Sequence, residues 1–218
     1  MTTRDVPAVN RLLKRAYEQH RAPIMDLVAA QTRDPFRILV GTILSARTQD
    51  GTTAGAVERL FARVKTPAEL GALSEREIEG LIFPVGFYHT KARMLKQLPA
   101  ALAEKCGGRV PDEIDALCQL PGVGRKTANL VRALGFCKPA ICVDVHVHRI
   151  CNRLGFVATK TPLETEMALR EKLPRRYWIT WNSYLVAFGQ TCCRPARPRC
   201  GECPVARWCK TGHGLSSP

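Results

Sequence analysis

No run of alternating apolar and polar residues long enough for a sheet strand occurs in the 218 residues, while apolar positions recur at helical spacing. Val9, Leu12, Leu13, Ala16 and Tyr17 form one such stripe, and Val57, Leu60, Phe61 and Val64 another. A helical stripe buries itself only against a neighbouring element, so helices packed on helices are the architecture open to this chain. Helix starts are marked as well. Asp34 and Pro35 are an N-cap and first-turn pair ahead of Phe36–Leu44, which is nearly all apolar and reads as a buried helix. Ser74 with Glu77 makes a capping box for the segment up to Ile82, and Thr161, Pro162 and Glu164 open one that runs to Leu173 before Pro174 stops it. The β-branched stretch Ala140–Val147 can be extended, but a lone strand has no partner. The fold class is all-α, with about nine or ten helices in one or two domains and no internal repeat. Gly212–Pro218 is small, polar and expected to fray.

Lys and Arg number 33 against 19 Asp and Glu, a net charge of +14. That excess is the electrostatic footprint of a polyanion binder, and nucleic acid is the first candidate partner. No apolar run approaches the roughly 18 residues that span a bilayer, and Met1–His20 is polar and amphipathic rather than a signal sequence. We therefore expect no membrane association, no targeting segment and a reducing, cytoplasmic compartment. Of the ten cysteines, four fall at Cys193, Cys200, Cys203 and Cys209, spaced C-x6-C-x2-C-x5-C. Four thiols within seventeen residues in such a compartment point to a metal rather than to disulfides. The spacing itself is open between a zinc ion and an iron–sulfur cubane. Cys192 is an extra neighbour, and Cys106, Cys118, Cys137, Cys142 and Cys151 read as small apolar residues.

A second motif lies in the middle of the chain. Leu120-Pro121-Gly122-Val123-Gly124-Arg125-Lys126-Thr127 joins an apolar helix, Ile114–Leu120, to a helical segment, Ala128–Leu134. Two glycines one residue apart permit positive φ and bring backbone N–H groups close to a ligand, and the next helix adds its positive end. Such a nest binds phosphate without reading sequence. A plain helix–helix turn uses similar punctuation. Arg125 and Lys126 favour the anion site, because basic residues at a helix N-terminus oppose the macrodipole unless an anion compensates.

This turn, with Val143-Asp144-Val145-His146-Val147-His148-Arg149 after it, resembles the helix-hairpin-helix DNA glycosylases, and closely those of the endonuclease III type. The likeness runs from Leu44-Ser45 through the C-terminal cysteines, with three motifs in family order. It implies two all-α lobes with DNA bound across the cleft between them. Residues 28–138 would form a six-helix barrel lobe containing the hairpin at 114–133, and 1–27 with 139–218 a cluster lobe whose loop is 193–209. It also implies that Cys193, Cys200, Cys203 and Cys209 hold a 4Fe-4S cluster. The cluster would stiffen a basic loop in which Arg194, Arg197, Arg199, Arg207 and Lys210 oppose Glu202 alone.

The family's catalytic lysine and aspartate fall on Lys126 and Asp144, eighteen residues apart and expected to face each other from different lobes. The residue types suit the chemistry. An amine can attack C1′ of a damaged nucleotide, displace the base and hold the sugar as an imine, which neither a hydroxyl nor a carboxylate can form. A free lysine has a pKa of about 10.4, so the site must favour the neutral amine by desolvation or by cations such as Arg125. Asp144 can stabilise the charge that develops on the sugar or assist proton transfer. Without the resemblance, Lys126 reads as a phosphate contact, Asp144 as an N-cap on the helix His146–Leu154, and His146 and His148 as packing or DNA contacts rather than metal ligands.

Ile43–Asp50, including Arg47 and Gln49, is similar to the family segment that lines the gap left by an extruded nucleotide. The family commonly has glutamine where this chain has Arg47, which leaves the opposite-base preference open. Pro84–Tyr88 resembles the wedge loop, with Phe87 in the inserting position, although Phe87 can also be read as a core aromatic. Val145 stands where many relatives have threonine. The contacts to DNA are expected from Arg47, Gln49, Phe87, Leu120, Gly122, Gly124, Arg125, His146, Arg197 and Arg199. The resemblance thus implies a monomeric, nucleoid-associated base-excision enzyme that removes oxidised pyrimidines such as thymine glycol from damaged double-stranded DNA and nicks the abasic product. Two alternatives stand beside it. A mismatch-specific adenine glycosylase shares the fold and cluster, but generally lacks a lysine at the position of Lys126 and carries a further C-terminal domain for which this chain has no room. A non-catalytic iron–sulfur protein could bind DNA through the hairpin alone.

Overall fold

A computed structural model describes residues 1–19 and 22–212. Its α-helices in chain order are α1 (Val6–Glu18), α2 (Ile24–Thr32), α3 (Pro35–Ser45), α4 (Asp50–Arg63), α5 (Pro67–Ala72), α6 (Glu75–Ile82), α7 (Tyr88–Cys106), α8 (Ile114–Leu117), α9 (Arg125–Phe136), α10 (Val145–Arg153), α11 (Pro162–Lys172) and α12 (Trp178–Thr191). Among the described residues there is no strand, and the architecture is all-α. The helices outnumber the nine or ten read from the sequence because α5 and α8, six and four residues long, are too short to show a 3.6-residue period.

The side chains that mark the helix starts also build them. Asp34 Oδ1 accepts from the Phe36 amide at 2.9 Å. Ser74 and Glu77 form the reciprocal box, with the Glu77 amide donating to Ser74 Oγ and the Ser74 amide to Glu77 Oε2. At α11 the Thr161 hydroxyl accepts from the Glu164 amide, and the Glu164 carboxylate takes the Lys160 amide at 2.9 Å. The segment Ala140–Val143 is buried but forms no strand, and α10 begins at Val145, one residue before the expected His146. The expected frayed tail lies, beyond Gly212, outside the described residues.

The chain divides into two compact units, Ile24–Lys138 and Met1–Pro23 with Pro139–Pro218. In the Ile24–Lys138 unit α3 is the central helix, packed against α2, α4 and α9. Its Ile38, Leu39, Val40 and Leu44 are fully buried, each worth roughly 1.5–3 kcal/mol relative to exposure. In the other unit α1, α10, α11 and α12 close on a core centred on Trp181, with Leu13, Ile150, Leu169, Leu185 and Phe188. No helix among the described residues is long and apolar enough to cross a membrane.

Candidate active-site residues and the cysteine cavity

In the Ile24–Lys138 unit, α8 ends at Leu117, three residues earlier than its apolar pattern suggests, and the turn that follows is pinned from inside. Leu120 and Val123 are 3% and 6% exposed, and the Val123 amide donates to the Leu120 carbonyl at 3.1 Å. The side chain of Leu120, expected among the DNA contacts, therefore belongs to the core, and only its main chain is left for a ligand. Gly122 adopts φ +75°, a conformation that a Cβ opposes, and Gly124 caps α9 from an extended conformation with open space where a Cβ would stand. The first backbone bond of α9 runs from Ala128 N to Gly124 O, so the amides of its first turn have no intrahelical acceptor. Arg125 and Lys126 lie within this first turn, three residues ahead of the start read from the sequence. Lys126 is exposed.

Two further loops of this unit project together. Arg47 follows α3 with φ 54° and Phe87 precedes α7 with φ 59°, both left-handed. Phe87 is 62% exposed, which a core aromatic would not be, and the Arg47 guanidinium lies over its ring, 5.6 Å from the centroid. Gln49 is the exposed N-cap residue of α4, its carbonyl accepting from the Thr53 amide and hydroxyl. Beneath these loops sits a residue that the motifs did not single out. Lys91 is 6% exposed and donates to the Leu44 and Ala46 carbonyls and to Thr48 Oγ1. Burial lowers its pKa from 10.5 to about 8. The signal was in the chain, since Lys91 occupies the same helical stripe as the fully buried Leu95, Leu98 and Leu102.

In the other unit, Asp144 is the N-cap of α10. Its Oδ1 accepts from the amides of His146 and Val147, both at 2.9 Å, so the capping role open to it from the sequence is present and Oδ2 takes neither bond. His146 Nδ1 meets Arg149 Nη2 at 3.1 Å, and the same guanidinium nitrogen donates to the Cys193 carbonyl at 2.8 Å. His148 is instead bonded to Thr165 Oγ1 through Nδ1 at 2.7 Å. Val145 is 68% exposed.

All ten cysteines are free thiols. Cys193, Cys200, Cys203 and Cys209 line one cavity of about 100 Å³, and Cys192, the extra neighbour in sequence, lines it too. Its thiol hydrogen-bonds Cys203, which favours the Cys203 thiolate and raises the pKa of Cys192. Arg153, on the last turn of α10, donates to the Arg194 and Pro195 carbonyls and to Cys193 Sγ, and its own carbonyl accepts from Cys209 Sγ and Thr211. Among the described residues no three His, Cys, Asp or Glu side chains converge as a single metal ion requires. Arg197 and Arg199 are exposed on the loop, and Arg199 reaches Glu202 at 3.9 Å. Cys137 departs from the apolar reading, since it is the exposed, left-handed C-cap of α9.

Residues 40–175 match the HhH-GPD model of superfamily base excision DNA repair proteins. The chain is 48% identical to endonuclease III of Thermotoga maritima over 177 residues, which is 81% of this chain and 83% of that protein. It is also similar in structure to an endonuclease III in a non-covalent DNA complex, with a TM-score of 0.87 at 33% identity over 99% of this chain and 98% of that one. A trapped covalent endonuclease III–DNA intermediate superposes with a TM-score of 0.82 at 32% identity over the whole of both chains.

Proposed function

The chain belongs to the HhH-GPD superfamily of base excision DNA repair proteins and is a bifunctional DNA glycosylase and AP lyase, and we propose that Lys126 is its nucleophile and an oxidised pyrimidine in duplex DNA its substrate. The observation that carries this reading is the exposed lysine in the first turn of α9, directly behind a turn in which Gly122 supplies the positive φ and Gly124 leaves open space at the helix N-terminus.

Lys126 Nζ attacks C1′ as the bond to the base breaks, and the base leaves with the electron pair and takes up a proton. Opening of the sugar ring converts the C1′–N bond to a protonated imine. Loss of the acidified C2′ proton then expels the 3′ phosphate, and water releases the lysine from the unsaturated sugar. Asp144 stabilises the positive charge on the sugar and carries protons through its second carboxylate oxygen, Oδ1 being held by the cap.

The cysteine cavity fits a 4Fe-4S cluster. Each iron of a cubane takes a single thiolate, so four ligands set around a cavity suit it better than they suit a zinc ion, which needs all its ligands at about 2.3 Å from one point. Cys193, Cys200, Cys203 and Cys209 would hold it, and it would order the loop that carries Arg197 and Arg199. We read the protein as a monomer acting on chromosomal DNA.

Borohydride trapping on a duplex with one thymine glycol, with Lys126→Ala alongside, tests the reading. An adduct with the native protein and none with the variant supports it. Adduct formation with an abasic duplex alone would remove the oxidised-pyrimidine substrate, and no adduct on either would leave a non-catalytic DNA binder. Release of adenine from a mismatch without an adduct would favour the adenine glycosylase.

A further inference from the structure

Lys91 is buried without a carboxylate among its hydrogen-bond partners, and its ammonium hydrogens are matched one for one by acceptors. They reach the Leu44 carbonyl at 2.8 Å, the Ala46 carbonyl at 2.5 Å and Thr48 Oγ1 at 3.1 Å. The two carbonyls belong to the C-terminal end of α3, where the helix dipole favours a cation. Thr48 extends the connection. Its hydroxyl donates to the Ala46 carbonyl and accepts from both Lys91 and the Gly86 amide, which uses its one hydrogen and both lone pairs. At Gly86 the wedge loop touches the Arg47 turn directly, since a Cβ there would stand 2.5 Å from the Arg47 carbonyl oxygen. Arg47 and Phe87, the two left-handed, exposed residues of this surface, sit on either side of that contact with their side chains stacked.

Capping α3 alone would require only the carbonyl bonds. The third bond, to a hydroxyl that in turn holds Gly86, is what ties the Arg47 turn to the wedge loop. A methionine would fill the same channel without the cost of burying a charge, but would take one donor from each of three acceptors, of which the Ala46 carbonyl and Thr48 Oγ1 would keep only the bonds that Thr48 and Gly86 supply. We propose that Lys91 is a positioning residue for base extrusion, holding the Arg47 turn and the Phe87 loop as one rigid element that enters the duplex together. Lys91 touches neither sugar nor base; it acts through Thr48, Gly86 and the turn that carries Arg47. The proposal rests on the glycosylase reading above.

The test compares single-turnover strand cleavage at an abasic site in a duplex with cleavage of the same site in a single strand, where no stack has to be opened. Lys91→Met and Thr48→Val are measured beside the native full-length protein. A misplaced wedge is expected to lower the duplex rate of Lys91→Met about tenfold or more, as sub-ångström to ångström displacements do, while the single-strand rate changes little. Thr48→Val, which keeps the lysine and breaks the tie to Gly86, should lower the same ratio in the same direction. Equal losses on both substrates would make Lys91 a stability residue only and overturn the proposal, as would an unchanged ratio in both variants. Should Lys91→Met fail to fold, an unchanged ratio in Thr48→Val alone overturns it. Borohydride trapping of the native protein separates the two levels. Absence of a native adduct overturns the glycosylase reading and this proposal with it, whereas a native adduct with an unchanged ratio overturns this proposal only.

Discussion

Gly189 on α12 lies so close to His146 on α10 that a Cβ would overlap the imidazole Nδ1 and come within 3.0 Å of Arg149 Nη2. The His146 amide is one of the two that fix Asp144, so the missing methyl at Gly189 helps set where the carboxylate stands. Gly189→Ala is expected to cost about 1–3 kcal/mol, the usual result of overfilling a packed contact. It should also slow single-turnover cleavage by about tenfold or more through the displaced α10 N-terminus. Gly80, in the interior of α6 with no atom within 4 Å of where a methyl would stand, is the control, and Gly80→Ala should stabilise by about 0.4–1 kcal/mol with the rate unchanged. Urea midpoints and single-turnover rates of both variants check this.

Asp144 performs two jobs that substitution can separate. Asparagine caps a helix about as well as aspartate, whereas alanine loses about 1 kcal/mol. Asp144→Asn should therefore keep the native unfolding midpoint yet lose about a hundredfold or more in rate, the usual contribution of an acid–base group. Asp144→Ala should lose both. Equal activity in native and Asp144→Asn protein would reduce the residue to its cap.

Arg197 and Arg199 test the grip of the cysteine loop on phosphate. Removing one ion pair with the DNA backbone lowers the slope of log K against log salt by about 1. Arg197→Ala should show this in fluorescence anisotropy with undamaged duplex. Arg199→Ala should show less, because its guanidinium is already near Glu202.

What the sequence disclosed followed the range of the interactions involved. The caps at Asp34 and Ser74 were legible because donor and acceptor lie two or three residues apart. Lys126 and Asp144 were singled out only by the family resemblance, since by themselves they read as a phosphate contact and an N-cap, whereas the four cysteines were marked as a metal-binding set by their spacing. The inward turn of the Leu120 side chain was not legible, because a motif gives residue types without facing, and the turn needs one apolar anchor turned inward. Cys192 read only as an extra neighbour because the motif counts along the chain, while the loop folds back through the bond from the Arg199 amide to the Cys192 carbonyl and brings this fifth thiol to the same cavity. The bonds of Arg149 to Cys193 and of Arg153 to Arg194 span more than forty residues, and no local pattern announces them.

The buried ammonium of Lys91 gives stability and wedge positioning opposite responses to alkali. Burial sets its pKa at about 8 in the folded protein, whereas the unfolded chain keeps the proton up to about 10.4. Between these values the unfolded state binds more protons, so this residue adds stability as pH rises through the window; below the window both states are protonated and its contribution is constant. The displacement corresponds to about 3 kcal/mol in full, of which the native protein gains roughly 2–3 kcal/mol relative to Lys91→Met on going from about pH 7 to about pH 10. Urea unfolding of both proteins at the two pH values measures it, and the comparison cancels the other groups that titrate there. The neutral amine has only two hydrogens for three acceptors, so one bond of the clamp disappears just as the fold gains stability. The duplex-to-single-strand cleavage ratio of the native protein should therefore fall above about pH 8, while that of Lys91→Met, already without the clamp, stays flat. A ratio that falls equally in both proteins would assign the alkaline loss to some other group.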